Sequence, residues 1–413
     1  MRQLLADRDT ASWSSRCGVI STVWFCLVLV LAVVWCRTDV ALAAEWSATP
    51  SLSTKGVYNS NLLLSTGNNE VWGYWVTPAV KFKGATEVLE VEGETRADFV
   101  QYFGDQNREF TNVYFPLRTS YRADRHTLAF EGGFTRDNTL MGELLSTGLV
   151  LAFTQRSMWT ANPSWKVGIT DRLSWRSGYH FTDTTYQDGA RLGLVDYQVH
   201  GGTTGPTYNL TELDQVQLTG EYTFVRMPFI GLENTYYGAQ GGWTHDFGDQ
   251  LIGSVAGGGR FVKSNQDVPG AGTLTTDEVV WVYNASLSKQ FERTMVRVDG
   301  VRMINPSGFG RLLQTDRVGA TLVHNVTETL TLTLDGGLYF VSGIASNLPS
   351  RQLQDTRLFS VSPRVSWKFA DSWAMDVAYT YAERSVDAID QQNAAHSTYL
   401  MFRYAGDKWA VSR

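Results

Sequence analysis

Carboxylates at every second position are the densest chemical feature of the chain: Glu90, Glu92, Glu94 and Asp98, with Arg96 set among them. Period two puts all five on one side of an extended strand and Leu89, Val91, Gly93, Thr95, Ala97 and Phe99 on the other. Charge on one face and apolar groups on the opposite face describe either a wetted wall that shapes the passage of ions or saccharides, or simply a solvated sheet face. Arg172, Arg176, Arg297 and Asp299 fall on the polar stripe of later segments and add both signs. Facing charges would pair across such a wall, and a mixed lining argues against a strong preference for one ion sign.

Chemistry of other kinds is thinly supported. The six histidines, His126, His180, His200, His245, His324 and His396, are scattered and form no His-Glu-x-x-His or other metal spacing. No metal or cofactor is expected. His180 with Asp183, or His200, could in principle serve a barrel hydrolase, but no local signature of such an enzyme surrounds them. Gly257-Gly258-Gly259 lacks the lysine and following helix of a phosphate loop. Asn209-Leu210-Thr211 and Asn325-Val326-Thr327 match the glycosylation pattern by chance. No catalytic residues are expected.

The elements that carry these residues are strands. Past residue 45 no amphipathic helix of ordinary length is evident, and alternation recurs. Leu330, Leu332, Leu334, Leu338 and Phe340 oppose Thr329, Thr331, Thr333 and Asp335; Trp373, Met375, Val377, Tyr379 and Tyr381 oppose Ser372, Ala374, Asp376 and Thr380; Leu173, Trp175, Tyr179 and Phe181 oppose Arg172, Ser174, Arg176 and His180. Tight polar turns recur near Gly84, Asp124, Asp171, Leu213, Asp249, Glu292, Glu328 and Asp371, a hairpin period of about 36 to 47 residues. Longer breaks rich in Gly, Asn and Asp lie between them: Gly104–Arg108, Met141–Gly148, Gln187–Gly193, Asn265–Asp277, Ser342–Gln354 and Val386–Ala395. Of these, Asn265–Asp277 and Ser342–Gln354 are the candidates for a loop that folds in as a constriction or makes surface contacts. Met227–Glu233 and Val199–Pro206 read as kinked strand or loop.

Short turns at one rim and long loops at the other are the pattern of an outer-membrane barrel. The breaks delimit about 18 strands, or roughly 16 if one pair merges, each long enough to cross an outer membrane when tilted. Aromatic residues gather near strand ends, as at Trp72, Tyr74 and Trp75, Tyr102 and Phe103, and Trp367 and Phe369, where an interfacial girdle is expected. A sheet in lipid has no water for an open edge, so it must close. The expected fold is therefore all-β: a transmembrane antiparallel up-and-down barrel over 44–404. The last good strand is Ser397–Tyr404, Gly406-Asp407 falls where another short turn is due, and 405–413 is expected to be a short periplasmic tail.

Composition agrees. Charged residues make up 18% and aromatic residues 13% of the 413 residues, and only alternate strand positions of a membrane barrel need be apolar. The net charge of −6 gives no basic footprint for nucleic acid. Arg2, Arg8 and Arg16 precede an apolar stretch from Cys17 to Cys36, and Ala41-Leu42-Ala43 follows as a small-x-small site. This is the order of a secretory signal peptide over 1–43, although the stretch is also long enough to be a retained anchor. Cys17, Cys26 and Cys36 all lie within it, so a processed chain has no thiol.

Tyr58-Asn59-Ser60-Asn61-Leu62-Leu63-Leu64-Ser65 followed by Val76-Thr77-Pro78-Ala79-Val80 resembles the opening hairpin of the β-barrel porin-2 family and of related outer-membrane proteins encoded with exosortase and exopolysaccharide systems. Asn162-Pro163-Ser164-Trp165, Thr170-Asp171-Arg172-Leu173-Ser174 and Gly193-Leu194-Val195-Asp196-Tyr197 are similar in style. The resemblance implies a place in the outer membrane of a Gram-negative-type bacterium, a link to extracellular polysaccharide, and no catalytic residues. The expected function is a porin-like channel or export conduit. A non-conducting barrel that anchors surface polymer, and a barrel enzyme, are the rivals. Expected partners are outer-membrane lipid and lipopolysaccharide, the barrel-assembly machinery, and polysaccharide or small polar solutes. No break is long enough for the constriction loop of a trimeric porin, so a monomer is expected.

Overall fold

The computed structural model describes residues 45–67, 69–104, 107–139, 153–268, 270, 272–344, 355–386 and 391–412. The expected signal peptide, 1–43, and the break 141–148 lie outside them. The strands are β1 (Glu45–Asn59), β2 (Val71–Ala85), β3 (Leu89–Gly104), β4 (Arg108–Ala123), β5 (His126–Asn138), β6 (Gln155–Gly168), β7 (Leu173–Tyr186), β8 (Tyr197–Asn209), β9 (Asp214–Met227), β10 (Leu232–Asp246), β11 (Leu251–Val268), β12 (Gly272–Gln290), β13 (Thr294–Ser307), β14 (Arg311–Asn325), β15 (Leu330–Gly343), β16 (Thr356–Ala370), β17 (Trp373–Val386), β18 (Gln391–Ala405) and β19 (Trp409–Ser412). Each of β1 to β17 pairs antiparallel with the next, and β18 returns to β1 with Ser51 opposite Ala405 and Asn59 opposite Ser397. The sheet is closed.

The hairpins at one rim are short because their sequences cap themselves. In four of them a threonine hydroxyl accepts the N–H three residues on: Thr86 from Leu89 at 2.9 Å, Thr170 from Leu173 at 3.0 Å, Thr211 from Asp214 at 2.9 Å and Thr327 from Leu330 at 3.0 Å. A local side-chain bond of this kind holds a turn without a longer loop. The β4–β5 turn has only Asp124 and Arg125, and Asp124 takes the left-handed conformation, φ 44°, that such a turn requires. All eight sequence-read turns fall at this rim.

Alternation sorts the wall into two faces. Outward positions carry Trp72 and Tyr74 on β2, Leu332 and Leu334 on β15, and Phe359, Val365 and Trp367 on β16, all exposed. This band is apolar from the short-turn rim upward until charge returns, for example at Arg302 on β13 and Arg357 on β16. At about 3.3 Å per residue and a tilt of about 45°, Arg302 stands roughly 20 Å above Thr294, close to the height of the apolar band of an outer-membrane barrel. Its rim carries Trp46, Trp165, Trp243, Trp367 and Trp373, each exposed, in the place where indole rings meet a membrane surface. This exterior belongs in lipid, and the closed barrel is an outer-membrane architecture.

Several expectations need correction. Gly406-Asp407 is no turn: the Gly406 amide bonds to the Pro50 carbonyl at 2.8 Å, the strand bulges, and Trp409–Ser412 continue along β1 opposite Glu45–Ala48. The segment from 405 is thus paired sheet at the short-turn rim. Asn265–Asp277 is no fold-in loop, because β11 and β12 run through it and pair as far as Val268 opposite Gly272; the threonine and valine content of the segment supports a long hairpin. Of Ser342–Gln354, residues 345–354 lie outside the described chain. Val199–Pro206 is ordinary strand within β8, and Met227–Glu233 is a hairpin whose turn is the 3₁₀ segment Pro228–Ile230.

Candidate functional site: the lumen wall

Inward positions of β2 to β5 carry a zipper of alternating charge. Lys83, Glu92, Arg118 and Glu131 lie directly opposite one another from strand to strand. Lys83 Nζ also reaches Glu90 at 2.6 Å, Lys81 stands 4.0 Å from Glu94, and Arg118 stands 3.5 Å from Glu131. Each acid of the carboxylate ladder on β3 therefore has a base within reach. Higher on the same strand Arg96 lies 3.5 Å from Asp98, Thr77 donates to Asp98 at 3.0 Å, and the Arg96 guanidinium lies 4.1 Å from the Tyr114 ring centre.

The expected lumen residues fall as follows. Glu90, Glu92, Glu94, Arg96 and Asp98 share the parity of buried Val100 and Tyr102, opposite to lipid-facing Leu89 and Phe99. Arg297 and Asp299 share the inward parity of β13, and Asp299 is reached from across the strand by Arg317 at 3.4 Å as well as by Arg297 at 3.9 Å. Arg176 points inward on β7 and lies directly opposite Lys166 of β6, with Gly205 on its other side. Arg172 is the exception. It sits exposed in the rim turn 169–172, because Thr170 caps the turn three residues before the strand begins.

Sequence reasoning missed the better-buried pairs. Arg156 donates two bonds to Asp137 at 3.0 and 2.9 Å, with both side chains under a tenth exposed. Arg260 grips Glu221 at 3.1 and 2.6 Å, and Arg403 reaches Asp376 at 2.7 Å. Such partners sit on different strands, 19 to 39 residues apart, so spacing within one strand gives no sign of them. Two-pronged guanidinium–carboxylate pairs are the geometry that survives burial.

The histidines do not assemble a catalytic site. His180 faces inward while Asp183, three residues on, faces outward and accepts from Gln198 at 2.9 Å. His200 and His396 face outward and bond the phenol groups of Tyr179 and Tyr379, each at 2.7 Å. At the rim His126 accepts from Trp165, His245 meets Asp214 at 2.7 Å, and His324 meets Thr294 at 2.8 Å.

Above the charged wall the lumen is filled from three directions. The end of the β13–β14 hairpin turns inward, with β14 still paired to β15 as far as Leu313 opposite Gly343. Ile304 and Leu312 have the parity of lipid-facing Val298 and Val318, yet they join a buried cluster with inward-facing Val199, Val225, Tyr236, Val262 and Val280. The hairpin tip is tied in by the Val195 amide, which donates to the Gly308 carbonyl at 2.6 Å, and Phe309 packs on the same cluster. Segment 187–196 therefore meets the hairpin inside the barrel. From the far side, segment 60–67 folds over the β18–β1 seam: Leu62 packs with Val71, Trp75, Val100 and Phe110, and Leu64 with Leu358 and Ala395. The sequence signal for the hairpin was present in Pro306, Gly308, Gly310 and the paired Leu312-Leu313, which break alternation.

No family model and no curated protein matches the chain. Among solved structures it is similar in fold to Pseudomonas aeruginosa OccK5 (OpdH), at 12% identity and TM-score 0.43 over 87% of this chain and 98% of that one. Acinetobacter baumannii OccAB1 is similar at 9% identity and TM-score 0.46 over 88% and 96%. Pseudomonas aeruginosa OccK2 (OpdF), solved in complex with glucuronate, is similar at 10% identity and TM-score 0.42 over 87% and 98%.

Proposed function

We propose that the protein is a porin-like channel of the outer membrane of a Gram-negative-type bacterium, passing small polar solutes along the barrel axis. The observation that carries this reading is the sorting of the wall: paired charges and hydroxyls inside, an apolar band outside, and no break in the closure at the short-turn half. A wall of fixed, mutually compensated charge holds water at little cost and offers hydrogen bonds to a passing solute. The inward hairpin and the two inward segments narrow the upper half, which favours solutes over an extended polymer. The chain acts as a monomer in this reading, with lipopolysaccharide and outer-membrane lipid around it.

Planar bilayer recording of the folded protein tests the proposal. Discrete conductance steps, with sugar-sized polyols excluded above a sharp size limit in liposome swelling, are the expected result. Absence of any steps would favour the polymer-anchoring barrel. Passage of an oligosaccharide of many units would favour an exopolysaccharide conduit. Turnover of a lipid or peptide would revive the enzyme.

A further inference from the structure

The lipid-facing side of β4 to β7 is unevenly filled. Two small outward residues, Pro163 on β6 and Ser177 on β7, lie among the large side chains of Tyr121, Leu128, Phe130, Trp165 and Tyr179. Together these line a cleft of about 480 Å³ on the outer surface. Leu128 stands two residues above the start of β5 and Tyr179 six above the start of β7, so the cleft spans about 5 to 14 Å above the short-turn rim. That is the lower half of the apolar band. Short turns of such barrels face the periplasm, so the cleft opens on the inner leaflet of the membrane, which is built of phospholipid.

The foot of the cleft is polar. His126, the first residue of β5, lies nearly parallel to Trp165, with 8° between the rings, and accepts the indole N–H at 3.2 Å through Nδ1. The neutral imidazole then carries its proton on Nε2, and that donor has no partner among the described residues. Arg125 donates from Nη1 to the Ile169 carbonyl at 3.4 Å, which holds it against the next turn and leaves the rest of its fork exposed. Asp124 precedes it, and Asp171 and Arg172 stand exposed in the neighbouring turn. Among the described residues none of these four charged side chains makes an ion pair. The foot therefore offers free donors and free carboxylates side by side, directly below an apolar cleft.

We propose that the cleft and its foot hold one zwitterionic aminophospholipid of the inner leaflet, of the phosphatidylethanolamine type. An acyl chain lies over Pro163 and Ser177 between the flanking rings. The phosphate accepts hydrogen bonds from His126 Nε2 and the Arg125 guanidinium, and the ammonium donates to Asp124 or Asp171. Such bonds involve ionised groups and are the strong ones. The two signs also select the headgroup. A glycerol headgroup brings no cation to the aspartates, and a choline headgroup has no N–H to donate to them. The site rests on the reading of the chain as a membrane barrel, and is independent of conduction along the axis.

Native mass spectrometry of the full chain, released from nanodiscs of equal phosphatidylethanolamine, phosphatidylglycerol and phosphatidylcholine, tests the site. One phosphatidylethanolamine should stay on the barrel after the other lipids are stripped. Arg125→Ala with His126→Ala should weaken its retention roughly tenfold, as the loss of charge-assisted bonds implies. Ser177→Trp, which fills the cleft and leaves the foot intact, should weaken it as well, and the milder Ser177→Leu serves if the tryptophan variant does not fold. Ala320→Trp puts the same bulk outward on β14 and should leave retention unchanged. A heat-induced shift in gel mobility identifies each variant as folded. Retention of the three lipids in their nanodisc proportions, a preference for phosphatidylglycerol, or equal effects of Ser177→Trp and Ala320→Trp would overturn the site. Loss of axial conductance in the parent protein would instead count against the channel.

Discussion

Leu312 and Leu313 are consecutive residues of one strand, and they are 2% and 0% exposed. A strand in a barrel wall shows neighbouring residues to opposite surroundings, so burial of both means that both faces of this hairpin are covered. The end of the hairpin has turned into the lumen and become part of what fills it, while β14 stays paired to β15 as far as Leu313 opposite Gly343. This departure from alternation narrows the upper half, where β12 and β13 cease to pair.

Leu313→Ala should therefore act on both stability and permeation. Removing a fully buried leucine side chain costs about 2–5 kcal/mol, and the loss would appear as a lower urea midpoint for unfolding in detergent. Single-channel conductance should rise as the hairpin loosens. Stability loss with unchanged conductance would place the hairpin outside the permeation path.

Arg156→Ala would strand Asp137, whose side chain is 7% exposed. Breaking a buried pair from one side costs about 3–5 kcal/mol, and the temperature at which gel mobility changes on heating should fall. Replacing both, Arg156→Met with Asp137→Leu, should recover much of that loss. Equal damage from the single and double variants would show that the pair is not the unit of stability.

Glu90→Gln with Glu94→Gln would free Lys83 and Lys81, which now stand 2.6 and 4.0 Å from these acids. The lumen wall gains net positive charge, and the zero-current potential in a salt gradient should move toward anion preference. An unchanged potential would remove β3 from the conducting path.

Lys166 and Arg176 face each other across β6 and β7 with like charge. Arg176→Glu should turn a repulsive cross-strand pair into an attractive one. Opposite charges at such positions contribute about 0.2–1 kcal/mol, so unfolding should shift slightly upward while ion preference moves toward cations. A destabilised variant would mean that Arg176 has a role other than its charge.

Much of this molecule was legible in its sequence because alternation is a local property. The outward Leu330 to Phe340 stripe, the Glu90 to Asp98 ladder and all eight rim turns follow from residues close together in the chain. What alternation cannot carry is which residue of a distant strand stands opposite. Register alone puts Glu92 between Lys83 and Arg118, and Asp376 against Arg403. Long breaks were the other blind spot. Asn265–Asp277 is rich in turn-forming residues yet is mostly strand, because each half finds its partner in the other. Of the elements that do fold inward, 187–196 lies at one of the long breaks read from the sequence, whereas the one around Phe309 is a tight hairpin whose signal was the failure of alternation rather than loop length.

The central claim is that one face of this sheet meets water and the other meets lipid. Cysteine scanning along β3, residue by residue from Leu89 to Phe99 in the protein folded in liposomes, measures it directly, with one membrane-impermeant thiol reagent and one dissolved in the bilayer. The account predicts reaction of the impermeant reagent at even-numbered positions and of the lipid-phase reagent at odd-numbered ones. Reaction of both sets with the aqueous reagent, or no alternation between them, would contradict it.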